Sequence, residues 1–204
     1  MTSATVGGTE GYAEQADALV GPMDAVRFAD LHRPILPLIP AAPCPVLDIG
    51  AGTGRDAAAF AAMGHTVVAV EPTAALRRYA MTRHPSPAIA WLDDSLPHLA
   101  TLLSRGRQFD LVMLTAVWMH LDAAERQAAM PNLARLTATG GRLSITLRHG
   151  PVPAGRRMFD VSATETIALA AEAGLQLVLR LDNQPSQFNR TDVTWTRLAF
   201  VKPA

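Results

Sequence analysis

Val46-Leu47-Asp48-Ile49-Gly50-Ala51-Gly52-Thr53-Gly54-Arg55-Asp56 runs from apolar strand to glycine loop to helix start. Val46, Leu47 and Ile49 form the apolar run of a strand covered on both sheet faces. Gly50, Gly52 and Gly54 let the backbone turn sharply and bring N–H groups close to a ligand, where a Cβ would intrude. Thr53 is the expected N-cap of an alanine-rich helix over 57–62. Such a loop can hold a nucleoside against the open end of a parallel sheet. Taken alone, it also fits an ordinary tight strand-to-helix turn.

The next element favours the ligand. Gly64 ends the helix, and His65-Thr66-Val67-Val68-Ala69-Val70-Glu71 is a second strand with an acid at its carboxyl end. In a right-handed βαβ unit that acid lies beside the glycine loop, where it can accept hydrogen bonds from both hydroxyls of a ribose.

These two segments, 46–56 and 67–72, resemble motif I and the following acidic motif of the class I S-adenosylmethionine-dependent methyltransferases. Nicotinamide enzymes favour a G-x-G-x-x-G/A spacing instead, and Arg55 stands where its third small residue would fall. The resemblance runs from about residue 42 to the C-terminus. It implies an α/β fold, a Rossmann-like seven-stranded mostly parallel sheet with helices on both faces and an antiparallel C-terminal hairpin strand. The implied division is an N-terminal tail and helical cap over 1–41 and an S-adenosylmethionine-binding methyltransferase domain over 42–204. The implied cofactor is S-adenosylmethionine, with S-adenosylhomocysteine as product. The implied cofactor residues are Asp48, Gly50, Ala51, Gly52, Thr53, Arg55, Asp56, Glu71, Pro72, Asp93, Asp94, Ser95, Thr115 and Ala116. In that family an acid after the third strand receives the adenine amino group. Asp93 and Asp94 are both candidates, and either could instead cap the turn.

The 204 residues suffice for one α/β domain. Eighteen basic residues balance eighteen acidic ones, so no cationic surplus points to nucleic acid or an anionic membrane. Cys44 is the single cysteine and lies between two prolines, which fits a reducing compartment and a structural position. No apolar run has the length of a membrane span, and no signal-peptide core is visible, so a cytoplasmic setting is expected.

In chain order, residues 1–8 read as a disordered tail. A short helix is expected over 12–19, a break at Gly21-Pro22, a second helix over 24–32, then proline-broken turns. This segment is read as a lid over the ligand site, with Tyr12 and His32 either touching substrate or packing. Further helices are expected over 73–84 and 122–137, the latter kinked or restarted at Pro131. Strands are expected over 88–92, 109–115 and 142–147, the last fed by a turn at Thr139-Gly140-Gly141. Ser162 with Glu165 reads as a capping box for a helix ending near Gly174. Two final strands, 175–181 and 192–201, have no long helix between them and so break the βα alternation.

The sulfonium of S-adenosylmethionine makes its methyl a good electrophile, so the protein must exclude water and hold a nucleophile in line. A base helps if that nucleophile carries a proton. His149, in a loop at a strand's carboxyl end, is the first candidate base, and His120 the second. Either could be structural: His149 bonded to backbone, His120 packed between Met119 and Leu121. Trp118, Arg148 and Tyr12 are candidate acceptor contacts, with core packing or solvated pairing as their alternatives. The expected activity is methyl transfer to an oxygen or nitrogen of a small molecule. The alternatives are an S-adenosylmethionine-binding protein without turnover and a nicotinamide-dependent oxidoreductase. Composition and motifs leave the oligomeric state and the acceptor open.

Overall fold

The computed structural model describes residues 6–187 and 190–204. The chain begins with two helices, α1 (Ala16–Ala25) and α2 (Phe28–Leu31), and a 3-10 helix, Arg33–Leu38. It then alternates: β1 (Pro45–Ile49), α3 (Arg55–Ala62), β2 (Thr66–Val70), α4 (Ala74–Arg83), β3 (Ile89–Leu92), α5 (Ala100–Ser104) and β4 (Phe109–Leu114). A 3-10 turn, Trp118–His120, leads into α6 (Ala123–Leu136), followed by β5 (Thr137–His149), α7 (Ala163–Glu172), β6 (Gln176–Pro185) and β7 (Thr194–Val201).

The strands form one sheet in the order β3-β2-β1-β4-β5-β7-β6. The pairings among β1 to β5 are parallel, while β7 runs antiparallel to both β5 and β6. The chain reverses its direction of travel across the sheet between β1 and β4, and the crevice of an open α/β sheet lies at that switch point. Inserting β7 between β5 and β6 gives the expected hairpin closure.

Strand alternation sorts the apolar residues onto two faces. Leu47 and Ile49 of β1 pack with Trp118, Met130, Leu133 and Ala170 on the α6–α7 side. Val46 packs with Phe28, Ile35, Phe60 and Met113 on the other side. Asp48 shares parity with Val46 and therefore faces α3. Asp122 and Glu125 form a reciprocal capping box that starts α6, an arrangement worth about 1 kcal/mol. Among the described residues no helix is long and apolar enough to cross a membrane.

Several local expectations are corrected. The first helix spans Ala16–Ala25 and passes through Gly21 and Pro22 without a break, and α6 runs on through Pro131 without restarting there. In each case the carbonyl that loses its partner, four residues earlier, belongs to an exposed residue, Ala18 or Gln127, so water can satisfy it. The helix expected over 24–32 is divided, with Val26 and Arg27 extended between α1 and α2. Of the expected tail, residues 1–5 lie outside the described residues, whereas 6–8 lie against the cleft described below. The turn at Thr139-Gly140-Gly141 lies within β5, where the pairing to β4 shifts register between Phe109 and Leu111. Ser162 accepts from the Glu165 N–H at 3.0 Å, but the Glu165 carboxylate turns to Arg126 at 2.9 Å, leaving half a capping box.

Candidate active site

The glycine loop folds back onto the end of β2. Gly50 and Ala51 both donate their N–H to the Val70 carbonyl, at 2.8 and 3.0 Å. Gly50 has φ +70°, and a Cβ there would lie 2.4 Å from Val117 Cγ2. Gly54, at φ +82°, is the residue that opens α3, and a Cβ on it would stand 2.8 Å from the Trp91 ring. Thr53 therefore does not cap the helix; it is buried in the loop. Helix entry is set by the left-handed glycine.

Glu71 is 5% exposed, and both of its oxygens are already placed. Oε2 accepts from the Gly52 N–H at 2.8 Å and Oε1 from the Thr73 N–H at 2.7 Å. The Thr73 side chain bonds the carboxylate as well, and its remaining acceptor capacity can still take a hydroxyl of a vicinal diol. Burial pushes the Glu71 pKa up, with the two backbone bonds, the Thr73 side chain and Arg77 opposing. The Arg77 guanidinium donates to the Glu71 carbonyl and to Asp93 Oδ2, the latter at 2.7 Å. Asp94 accepts from the Ser95 N–H at 2.9 Å and the Leu102 N–H at 2.8 Å. Of the two acids, Asp94 lines the cleft, whereas Asp93 is drawn away to Arg77 and does not.

The cleft has two lobes that share Met23, Gly50, Gly52, Thr115 and Ala116. The first holds Glu71, Pro72, Asp94, Ser95, Tyr12 and His120, with residues 6–9 along its wall. The second holds Asp48, Ala51, Thr53, Arg55, Asp56, Thr146, Trp195 and Arg197. Every expected cofactor residue except Asp93 lines one lobe or both. Ala116 adopts φ +60°, a conformation costly for a residue with a Cβ, and its N–H donates to Thr146 Oγ1 at 2.7 Å.

Asp56 is the polar centre of the second lobe. Oδ1 accepts from Arg55 Nε–H at 2.8 Å; Oδ2 accepts from His32 Nε2–H at 2.7 Å and from the Thr115 hydroxyl at 2.9 Å. Burial alone would raise its pKa, but the His32 imidazole and Arg55 guanidinium hold it well below the usual carboxylate range. His32, fully buried, thus ties the N-terminal segment to α3 rather than reaching the first lobe.

Asp48 has the opposite fate. It is 1% exposed, its Oδ2 has no partner among the described residues, and burial followed by the nearby Asp56 charge drives its pKa well up. A carboxyl whose pKa is raised by folding holds a proton that the unfolded chain has released, so its stabilising share falls as pH rises from the ordinary carboxylate range through the raised value. Asp48→Asn keeps an acceptor for the Ala57 N–H and removes the ionisation. The melting temperature of the variant minus that of wild type is expected to climb from pH 4 to pH 8. A difference that stays flat or shrinks with pH would place the proton elsewhere.

At the roof of the first lobe, His120 sits in the turn after β4. Its Nδ1 lies 2.8 Å from the Arg157 carbonyl, which can only accept, so Nδ1 carries the hydrogen. Nε2 is then the acceptor for the Tyr12 hydroxyl at 3.1 Å. Burial pushes the His120 pKa down and the Tyr12 pKa up, the latter opposed by Arg156, which lies over the Tyr12 ring at 4.1 Å. Arg157 pairs with Asp122 and Glu125 and donates to the His120 carbonyl at 2.9 Å.

Three expected acceptor-side residues stand elsewhere. His149 is bonded to Thr196 Oγ1 at 2.9 Å, and that hydroxyl donates onward to Asp182 at 3.1 Å. His149 and Arg148 line a separate cavity with Met119 and Met158 that shares no lining residue with the cleft. The reason is the length of β5: both residues remain paired to β7, opposite Thr194 and Trp195, and never enter a loop over the site. Trp118 is fully buried in the core, its indole N–H donating to Thr166 of α7 at 3.2 Å, and it lines neither lobe of the cleft. Conversely, Arg197 lies in the second lobe without any motif to mark it. Its signal in the sequence is a charge inside the buried run Arg197-Leu198-Ala199-Phe200.

Residues 46–141 match the family profile described as a methyltransferase domain. An uncharacterized methyltransferase of Mycobacterium tuberculosis is 31% identical over 115 residues, which is 53% of this chain and 41% of that protein. The match thus spans less than half the length of that relative. A TehB-like S-adenosylmethionine-dependent methyltransferase from Corynebacterium glutamicum superposes with a TM-score of 0.61 at 20% identity, over 94% of each chain. The 1,6-didemethyltoxoflavin-N1-methyltransferase of Burkholderia thailandensis, solved with 1,6-didemethyltoxoflavin and S-adenosylhomocysteine, gives 0.65 at 17% identity, over 100% of this chain and 93% of that one. At these identities the likeness is one of fold.

Proposed function

We propose that the chain is a class I S-adenosylmethionine-dependent methyltransferase that moves a methyl group from S-adenosylmethionine to an oxygen or nitrogen of a small molecule; the methyltransferase-domain profile over residues 46–141 and the shared fold support this reading. The observation that carries this is the first lobe. Glu71 presents its carboxylate beside the Gly50–Gly52 backbone, and Asp94 with Ser95 lines the same lobe.

The residues fit the cofactor. Glu71 would take the ribose hydroxyls, the Asp94–Ser95 loop the adenine, and the glycine loop the stretch between nucleoside and sulfonium. The bound cofactor supplies an activated methyl; the protein's share is to exclude water, position the acceptor and accept its proton. Residues 6–9 and Tyr12 line the lobe and would provide the exclusion. His120 Nε2, poised by the Nδ1–H bond to Arg157, is the group able to take a proton, with the Tyr12 hydroxyl as relay or hydrogen-bond donor. A cleft on a chain of balanced charge supports a small acceptor over a nucleic acid.

Calorimetry against S-adenosylhomocysteine, NAD and FAD tests the cofactor. Binding of the first in preference to the other two is expected, and tight NAD binding without S-adenosylhomocysteine binding would sink the proposal. Labelled S-adenosylmethionine incubated with a metabolite pool then identifies the acceptor.

A further inference from the structure

The second lobe contains a guanidinium that forms no ion pair among the described residues. Arg197 sits within β7, opposite Thr146 of β5 and Leu181 of β6, and is 6% exposed. Its Nη1 is buried and makes no hydrogen bond among the described residues. Asp56 is the carboxylate whose charge reaches it, yet both Asp56 oxygens are engaged by Arg55, His32 and Thr115. Asp48, the other acid of the lobe, is held toward its neutral form by burial. A second cation, Arg55, lines the same lobe. The lobe therefore has an excess of positive charge, and a buried guanidinium with an unpaired Nη1 is a standing cost that a planar anion removes through N–H···O bonds to the fork.

Building on the methyl-transfer reading, we propose that Arg197 anchors the acceptor by a carboxylate, so the substrate class is small carboxylic acids. Position favours the acceptor over the cofactor's own carboxylate. Arg55 opens α3 directly after the glycine loop, whereas β7 lies three strand places beyond β1, about 14 Å across the sheet at ~4.8 Å per strand. Trp195 and Pro185 give that end of the lobe apolar walls for the body of the molecule. A carboxylate gripped by a guanidinium has its charge neutralised and is the poorer nucleophile for it, so it serves as the handle and the methylated atom lies elsewhere on the acceptor.

Thermal shift and calorimetry on protein saturated with S-adenosylhomocysteine test this, with benzoate as probe and benzamide as its neutral counterpart. Benzoate is expected to bind and stabilise wild type, benzamide not, and Arg197→Met to weaken benzoate at least about tenfold. Arg197→Lys, which keeps the charge but not the fork, should also bind benzoate more weakly than wild type, and it serves if the methionine variant folds poorly. Affinity for S-adenosylhomocysteine should stay within about threefold in both variants. Loss of S-adenosylhomocysteine affinity in Arg197→Met, with 5′-methylthioadenosine unaffected, would assign the guanidinium to the cofactor's carboxylate and overturn the proposal. Benzoate acting equally on wild type and variant, or on neither, would overturn it as well. Benzoate bound through Arg197 by a wild type that takes up no S-adenosylhomocysteine would keep the anion site and remove the methyl-transfer reading instead.

Discussion

Glu71→Gln is expected to raise the dissociation constant for S-adenosylhomocysteine by about 10²–10⁴-fold, as two charge-assisted hydrogen bonds of ~1.5–3 kcal/mol each are weakened or lost. The structure makes the effect larger than a loop-edge acid would suggest. Both Glu71 oxygens accept backbone N–H groups, from Gly52 and Thr73, before any ligand arrives. A glutamine amide must turn its NH₂ toward one of these donors, leaving a buried N–H opposite another at a cost of about 1–3 kcal/mol. The free protein should therefore melt several degrees lower, at ~2–4 °C per kcal/mol for a domain of this size. The wild-type affinity should also decline at acid pH, beginning above the usual carboxylate range, because burial raises the Glu71 pKa and the protonated acid loses acceptor strength. The variant should lack that decline. An affinity within about threefold of wild type would mean the ribose does not meet Glu71.

The parts of the site legible in the sequence are those made by neighbours along the chain. The 46–56 loop and Glu71 belong to one βαβ unit, so the handedness of the crossover brings them together whatever the rest of the fold does. The Gly52–Glu71 bond is the physical outcome of that rule. The hairpin of β6 and β7 was legible from the missing helix between two strand patterns, although its insertion beside β5 followed from the resemblance. Choosing between Asp93 and Asp94 required knowing where Arg77 of α4 reaches. Trp118 left the site because its turn packs the indole into the core against Thr166 of α7, whereas Arg148 and His149 left it for a reason of strand length. A residue at the nominal end of a strand faces the site only if the strand stops there, and pairing with β7 carries β5 through His149. The Tyr12–His120 contact joins positions 108 residues apart, and Arg197 is brought to the cleft by an antiparallel strand; no local pattern encodes either.

His120→Ala should separate proton transfer from cofactor binding. The nucleoside contacts come from the glycine loop, Glu71 and the Asp94 loop, so affinity for S-adenosylhomocysteine should change little. Turnover of the acceptor found by labelled-methyl transfer should fall by roughly 10²–10⁴-fold, the range for loss of a positioned general base. Burial holds the His120 pKa below the ordinary histidine value of about 6.5, so Nε2 stays unprotonated into mildly acidic solution. The wild-type kcat/KM should thus keep its plateau below pH 6.5 and fall only at more acid pH, and the variant should lose that limb. Tyr12→Phe removes the hydroxyl from Nε2 while sparing the imidazole, and should cost less than His120→Ala. His149→Ala should leave both turnover and its pH profile near wild type, since that imidazole belongs to the Thr196–Asp182 chain in a separate cavity. Proximity alone suffices for an acceptor already deprotonated in solution, and then the kcat of His120→Ala would hold while KM rises. Such a result, or rates within about threefold of wild type from pH 6 to 9, would remove His120 from proton transfer and leave it as part of the roof.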